Sequence, residues 1–276
     1  MNYFIKIGII GIIVLCPATT LIGQINNGLI AHFNFNNNAL DISGQNNHGV
    51  VGGATLTTDI FGNPNSAYLF DGFNDNIEIP TYVNMSPTQG VTISAWIKTT
   101  SSSGSPIIYE RLETNMGFAL RLNDDGQLRL SINGGVADAV SQEVLITDKW
   151  YHVIGTYDAI SGELKLYIYG DLVATNLYNQ AIDYSLEPRN SIGAYGSSYP
   201  GAYFNGSIDE LRVYDKALDA YEVDVLFSSE TSQQPVLGLD DENDENDIVN
   251  SHFNLLGQHN FNAKFNLFTY SKGGGL

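Results

Sequence analysis

The most regular feature of the chain is a series of short runs in which every second residue is apolar. Clusters of Gly, Asn, Asp and Ser separate these runs between about residues 28 and 214. Alternating apolar side chains are typical of a β-strand with one face on a core. The clearest runs are Leu29–Phe35, Val91–Lys98, Phe118–Leu122, Gln127–Ile132, Tyr151–Tyr157, Leu164–Tyr169 and Ile208–Tyr214.

The connectors between the runs have the composition of tight turns. Asn123–Gly126 and Asp158–Gly162 each join two runs at hairpin distance. About a dozen short strands without intervening helices predict two packed antiparallel sheets. The sequence therefore predicts an all-β fold, a two-sheet antiparallel jelly-roll sandwich.

Helical spacing is clear only in Ala217–Phe227, where Leu218, Tyr221, Val225 and Leu226 fall on one face. Asp219 lies early in this segment, where the helix dipole favours an anion. We therefore expect one short C-terminal helix laid on the edge of the sandwich.

Residues 1–23 have the pattern of a secretory signal peptide. Lys6 precedes the apolar stretch Ile7–Leu15, and Cys16-Pro17 breaks it before small residues. A membrane anchor would need about 20 apolar residues, and a lipoprotein signal would need a small residue in place of Leu15. The sequence thus predicts a secreted or cell-surface protein with no membrane insertion after signal removal. Its mature chain would contain no cysteine and therefore no disulfide.

The remainder divides into a β-sandwich domain over 26–228, an acidic linker over 229–247 and a short C-terminal tail or incomplete β module over 248–276. Six of the eight residues in Asp240–Asp247 are acidic, which is typical of a solvated spacer. This run lacks the glycine and the ligand spacing of an EF-hand.

Composition narrows the possible partners. The chain has 12 Lys and Arg against 30 Asp and Glu, a formal net charge of −18. Such a charge repels phosphate backbones and anionic lipid surfaces, so nucleic-acid binding and peripheral membrane binding are disfavoured. Its 16 Tyr and 28 Gly with only 15% charged residues suit a β-rich extracellular domain.

Five segments, in order, resemble the laminin-G-like domains of the concanavalin A-like lectin/glucanase superfamily. They are LIAHFNFNNNALDISGQNNHG from Leu29, SAYLFDGFNDNIEI from Ser66, TISAWIK from Thr92, WYHVIGTYD from Trp150 and FNGSIDELRVY from Phe204. The resemblance spans about residues 26–228 and implies a concanavalin A-like sandwich. That fold hosts lectins, adhesion modules and hydrolases, so it does not by itself identify a ligand.

A calcium ion is the candidate cofactor. The loop that contains Asp41 is rich in carboxylate, amide and carbonyl oxygens, which suit Ca²⁺. In the family resembled, a structural calcium often ties this loop to the closing strand, which implies Asp41, Asn47 and Asp209 as ligands. The alternative is that Asp41 caps a turn and Asp209 bonds backbone.

Catalysis has little support. Glucanases of this superfamily carry an E-x-D-x-E strand, and the chain has no such triplet on a predicted strand. Asp75 and Glu78 are offset by three and would face opposite sides. His152 lies inside a strand, and no serine sits in a nucleophile elbow. We therefore predict that the protein is not an enzyme.

With catalysis disfavoured, ligand binding is the function that the sequence supports best. Tyr195, Tyr199 and Tyr203 lie on one glycine-flanked loop, where flat rings and hydroxyls can contact sugars. Tyr109 and Arg111, near the end of another strand, are weaker candidates. The alternative is that the tyrosines only cover the rim. Trp96 and Trp150 are expected in the core, and His152 at a core or rim position.

The sequence therefore predicts a non-catalytic, carbohydrate-binding module with a structural calcium. Its partner would be an extracellular glycan. The competing hypotheses are an adhesion or structural protein that binds a cell-surface protein and, with less support, a glycoside hydrolase.

Overall fold

The computed structural model describes residues 25–80, 85–101, 106–113, 116–184, 189–194 and 202–231 of the chain. These residues belong to one compact unit. The predicted signal peptide, the acidic run 240–247 and the tail 248–276 lie outside them, as do Tyr195 and Tyr199. Among the described residues, no helix combines the length and the apolar character that crossing a bilayer requires.

Fifteen β-strands form in this described part, which confirms the all-β prediction. In chain order, β1 to β15 are Leu29–Phe33, Val50–Gly52, Thr55–Thr57, Ala67–Asp71, Asn76–Ile79, Gly90–Thr99, Ile107–Glu113, Met116–Leu122, Gln127–Ile132, Ala137–Val144, Tyr151–Asp158, Glu163–Ile168, Asp171–Leu177, Arg189–Ile192 and Asn205–Tyr214. In the same described part, helix α1 spans Ala220–Thr231, and a 3₁₀ turn covers Asn133–Gly135.

The strands form two antiparallel sheets. Sheet A has the order β13-β12-β11-β6-β15-β4-β3, with β1 also paired to β15, and sheet B has the order β10-β9-β8-β7-β14-β5-β2. Strands distant in sequence are neighbours, as β6 and β15 are. This crossing of connections between two sheets is the predicted jelly-roll sandwich.

The core lies between the two sheets. Alternate side chains are buried in strands such as β5, whereas nearly every residue of β6 and β11 is buried. In β11, a Cβ on Gly155 would lie 3.0 Å from Leu130 Cδ1 and 3.1 Å from Leu120 Cδ1. A side chain at this position would press on these two leucines, so glycine suits the close approach of the two sheets. Ile93, Val153 and Leu120 are fully buried in this layer.

Helix α1 covers part of the outer face of sheet A. Asp219 and Glu222 form a reciprocal capping box, since each backbone N–H donates to the other's carboxylate, at 3.1 and 2.9 Å. The helix therefore begins at Ala220, later than the predicted segment Ala217–Phe227. As a result, the side chains that face the sheet differ from the predicted set. Leu218 is buried ahead of the helix, whereas Tyr221 is 56% exposed, so its predicted burial is wrong.

The last turn of α1 inserts a buried carboxylate into sheet A. Glu230 is 2% exposed, and its Oε2 accepts the indole N–H of Trp96 at 2.7 Å. It also contacts Arg212, whose second terminal nitrogen lies 2.9 Å from Glu210. The helix therefore extends past the predicted domain end at residue 228, because Glu230 is part of the domain.

We expect the Glu230→Ala substitution to cost about 3–5 kcal/mol of unfolding free energy, because the buried Arg212 would keep only Glu210 as a partner and the Trp96 N–H would lose its acceptor. Chemical denaturation measures this loss. The Glu163→Ala variant is the control: Glu163 pairs with Lys165, both side chains are partly exposed, and the substitution should cost about 0–1 kcal/mol. Equal losses would show that the Glu230 contacts do not stabilise the fold.

Candidate functional site

Several connections meet at one end of the sandwich. Thr100 N–H donates to Asn205 O at 2.8 Å and Asp148 N–H to Thr99 O at 2.7 Å. Asn205 also pairs with Asp71 at the end of β4. We call the described residues 71–75, 98–101, 145–150 and 202–205 the rim. Residues 202–204, which end the predicted tyrosine loop, lead into β15 at this end.

Phe73 is the most exposed aromatic residue of the described rim, with 77% of its surface accessible to solvent. It occupies the tip of the β4–β5 hairpin. Asp71 Oδ1 accepts the N–H groups of Phe73 at 2.8 Å and Asn74 at 3.2 Å, and these bonds lower the pKa of Asp71. Asp75 accepts the N–H of Asp71 at 2.9 Å, although burial raises the pKa of its carboxyl group.

Phe73 was missed by the sequence reasoning, which treated this segment only as a turn. A usable signal was present, because an aromatic residue between Asp71-Gly72 and Asn74-Asp75 has no core position available at a hairpin tip. Gly72 has a φ of +76°, and a Cβ there would lie 2.7 Å from the Cβ of Asn205. Glycine therefore lets the hairpin tip contact the start of β15.

Of the three predicted tyrosines, only Tyr203 lies within the described residues. It is half-buried at the rim, next to Phe204, which is fully buried and packs edge-on against Phe70 with ring centroids 6.2 Å apart. The structure thus brings Tyr203 and Phe73 to the same end of the sandwich. Their role in binding stays a prediction.

Tyr109 and Arg111 lie in the interior. Tyr109 is fully buried against Phe118, with ring centroids 6.1 Å apart, and burial raises the pKa of its hydroxyl. Arg111 is 2% exposed and its guanidinium lies 4.4 Å from the ring centroid of Tyr184. Neither side chain presents a surface to an external ligand, so this burial does not support their predicted binding role.

The Asp41 carboxylate organises its own loop. Its Oδ1 accepts the N–H groups of His32 at 2.9 Å and Ser43 at 2.8 Å. Its Oδ2 accepts the Ser43 hydroxyl at 2.9 Å and the Asn47 N–H at 2.8 Å. Asn47 in turn donates to Ile30 O at 2.6 Å. These bonds match the turn-capping alternative and leave Asp41 less able to take a cation.

Asp209 is a buried residue whose carboxyl group has a raised pKa. It is 4% exposed and accepts the N–H of Glu210 at 2.7 Å. Burial, reinforced by the nearby Glu210 and Asp59 carboxylates, raises its pKa well above the ordinary value. Among the residues that the structure describes, however, no three His, Cys, Asp or Glu side chains converge as a metal-binding group.

His152 superficially resembles part of a catalytic triad. Its Nε2 lies 3.0 Å from Ser94 Oγ and 3.1 Å from Glu230 Oε2. A triad needs the acid and the serine on different ring nitrogens, and here both share Nε2. All three residues are buried. The arrangement is therefore structural, which agrees with the expected core position of His152.

Among the described residues on the outward face of sheet B, the acidic residues Glu78 and Glu110 do not converge. Strand register aligns Glu78, Ser191 and Glu110 across β5, β14 and β7, so two strand spacings, about 9.5 Å, separate the two acidic backbones. A retaining glycosidase needs carboxyls about 5–5.5 Å apart. Glu110 is also fully buried, whereas Glu78 is exposed.

Comparison with known proteins agrees with this geometry. Residues 70–224, more than half of the chain, match a laminin-G-type family model described as the concanavalin A-like lectin/glucanases superfamily. No curated protein matches the chain.

Solved structures share the fold. The binding domain of Paraclostridial Mosquitocidal Protein 1 has a TM-score of 0.63 at 19% identity, covering 76% of this chain and 54% of that one. The botulinum neurotoxin serotype D binding domain gives 0.60 at 19%, covering 77% and 53%. The serotype D ligand binding domain in complex with N-acetylneuraminic acid gives 0.62 at 20%, also covering 77% and 53%. The chain spans about half the length of these domains.

The buried imidazole of His152 predicts a pH dependence of stability. Burial, with the nearby Arg212 guanidinium, lowers the pKa of His152 to about 3 from an ordinary 6.5. Between these values the unfolded chain takes up a proton that the folded chain does not, so the contribution present above pH 6.5 is lost as the pH falls toward 3.

Denaturation at several pH values tests this. The His152→Gln variant should lose less stability between pH 6.5 and 3 than the parent protein. The His48→Gln variant, which changes an exposed imidazole, should keep the parental slope. Identical slopes in all three proteins would contradict the prediction.

Proposed function

Because the chain belongs to the concanavalin A-like lectin/glucanase superfamily, we propose that it is a non-catalytic binding module for an extracellular glycan. The proposed site is the rim. The observation that carries the proposal is Phe73, whose ring is 77% exposed on a hairpin tip fixed by backbone hydrogen bonds. An exposed aromatic ring on a fixed backbone offers contact area to a sugar and has only two side-chain torsions to order on binding.

The neighbourhood of Phe73 adds polar groups. Asn205 and Thr100 share a hydrogen bond of 2.6 Å between Thr100 Oγ1 and Asn205 Oδ1, and the predicted tyrosine loop reaches the rim at Tyr203. Aromatic faces with a few fixed amide and hydroxyl groups suit a polyhydroxylated ligand. Tyr195 and Tyr199 are proposed to extend the same surface.

The structural neighbours are binding domains, which supports recognition as the activity. One is described in complex with N-acetylneuraminic acid and another in complex with rat synaptotagmin II. The second description favours a cell-surface protein as the alternative partner, in an adhesive role. We also propose that the protein is secreted, with residues 1–23 as its signal peptide.

A glycan array tests the proposal, followed by titration of each sugar that binds. We expect Phe73→Ala and Tyr199→Ala to weaken binding at least tenfold, or about 1.4 kcal/mol, since truncating a central aromatic contact has effects of this size. Tyr221→Ala is the matched control, because Tyr221 is exposed on α1, away from the rim.

Two outcomes would contradict glycan binding at the rim. Unchanged affinity in both rim variants would place the site elsewhere on the molecule. An array without hits, together with capture of a defined cell-surface protein that depends on Phe73, would favour the adhesive role.

We also propose a structural calcium, with Asp209 as its main side-chain ligand. A divalent cation would offset the cost of burying this carboxylate near Asp59 and Glu210. Asp41 and Asn47, the other predicted ligands, would have to exchange hydrogen bonds for the metal. Calcium bound there would link the early loop to β15.

Thermal melting in calcium and in EDTA tests this proposal. At 100 times its Kd, calcium should add about 2.7 kcal/mol, or roughly 5–11 °C in a domain of this size. Asp209→Asn should abolish the difference, whereas Asp41→Ala should lower the melting temperature even without a chelator. Equal melting of the parent protein in both conditions would remove calcium from the proposal.

A further inference from the structure

Arg111 is a buried cation that no described carboxylate neutralises. It is 2% exposed, and no carboxylate whose position the structure describes lies within 4.0 Å of its guanidinium. Arg212 is similarly buried, at 6% exposed, and it contacts both Glu210 and Glu230. A buried charge without an opposite charge is strongly destabilising. The described part of the domain thus supplies counter-charges for Arg212 and none for Arg111.

The groups that contact Arg111 are neutral. One terminal nitrogen donates to the hydroxyl of Ser86, and the guanidinium carbon lies 4.4 Å from the ring centroid of Tyr184. An aromatic ring attracts a cation but has no net charge, so it does not neutralise one. Burial lowers the pKa of Arg111, yet a guanidinium stays protonated in proteins. The positive charge therefore remains inside the domain.

Two hydrogen-bond donors near this charge lack an acceptor. The Nε–H of Arg111 and the hydroxyl of Tyr109 are buried and have no partner in the described part of the chain. These residues are two positions apart in β7, so their side chains lie on the same face of the strand. The charge of Arg111 also opposes the rise in the pKa of the Tyr109 hydroxyl that burial causes. Buried polar atoms are almost always hydrogen-bonded, and an ordered ion can satisfy those that are not.

Arg111 lies far from the rim. The rim end of β7 is Ile107, whose N–H donates to a rim carbonyl at 3.1 Å, and Arg111 is four residues, or about 13 Å, further along the strand. Ser86 belongs to the connection that follows β5, and Tyr184 to the one that precedes β14. The Tyr184 hydroxyl donates to Pro87 O at 2.9 Å. Arg111 is therefore placed where two connections of the chain meet sheet B.

We propose that Arg111, Tyr109 and Ser86 bind a small monovalent inorganic anion such as chloride. The anion accepts the Arg111 Nε–H and the two hydroxyl protons, since the Ser86 hydroxyl that accepts from Arg111 can still donate its own. Its charge balances the guanidinium. A single negative charge is appropriate, because Arg111 is the one cation that the described part brings to this cluster, and the depth of burial favours a small ion.

The bound anion has a structural role. It links the inward face of sheet B to the connections that contain Ser86 and Tyr184. A ligand that binds the folded chain and not the unfolded chain stabilises the folded state by mass action. The stability of the domain should therefore rise with the concentration of the anion.

The melting temperature as a function of chloride concentration tests the proposal. The full chain is titrated with NaCl at constant ionic strength and constant calcium, with sodium isethionate as the balancing salt because its anion is bulky. At about ten times its Kd, chloride should raise the melting temperature by about 3–6 °C in a domain of this size. Bromide should give a similar rise.

Two variants with matched controls locate the effect. Arg111→Met removes the charge but keeps most of the side-chain volume, and it should abolish the rise. Arg129→Met is its control, because Arg129 pairs with Asp138, and it should keep the rise. Tyr109→Phe should increase severalfold the chloride concentration that gives half of the rise. Tyr157→Phe is its control, because the Tyr157 hydroxyl already donates to backbone carbonyls.

Bromide also locates the ion without any variant. Crystals of the full chain soaked in bromide should show an anomalous peak within hydrogen-bond distance of the Arg111 guanidinium.

Three outcomes would overturn the proposal. The first is a melting temperature that responds to chloride equally in the parent protein and in Arg111→Met or, if that variant does not fold, in Tyr109→Phe. The second is no anomalous peak at Arg111, which would assign an ordered water to the site. The third is a peak without any chloride dependence of melting, which would mean an adventitious ion only. Glycan binding at the rim is independent of all three.

Discussion

The buried carboxylate of Glu230 is the interaction that fixes helix α1 on sheet A. It brings a negative charge to the C-terminal end of α1, where the helix dipole disfavours it. The charge is tolerated because Trp96, His152 and Arg212 surround it from three different strands. A buried ion must be paired to persist, so the helix can dock in only one register. That docking closes the apolar cluster on the outer face.

The sequence pattern predicted the architecture well because the strands depend on local alternation. Runs such as Tyr151–Tyr157 and Leu164–Tyr169 became adjacent antiparallel strands. The helix was predicted less accurately, because the capping box of Asp219 and Glu222 sets its phase. Glu230 was assigned to a linker. Its hydrogen-bond partner Trp96 is 134 residues away in the sequence. Local apolar periodicity therefore cannot indicate this pair.

Candidate site residues could be predicted only where their role depends on neighbours in the sequence. The oxygen-rich loop around Asp41 was recognised, but the same residues can cap a turn, and the hydrogen bonds formed here favour that use. Phe73 was not singled out, because its exposure depends on which strands end together. Tyr109 and Arg111 looked accessible near a strand end, yet neighbouring segments bury them. Trp150 was expected in the core and is half-buried. Whether a side chain near a strand end is buried depends on the segments that pack around it in the folded domain.

Both ends of the described domain meet on one face. Ile25 packs in the same cluster as Leu218, Val223 and Leu226, a few residues before Glu230 and its buried contacts. In a tethered protein, tension applied to either terminus would therefore enter through this cluster and bypass the interface between the two sheets. The helix would peel away first, and the opposing sheets would continue to hold the loops in place under strain.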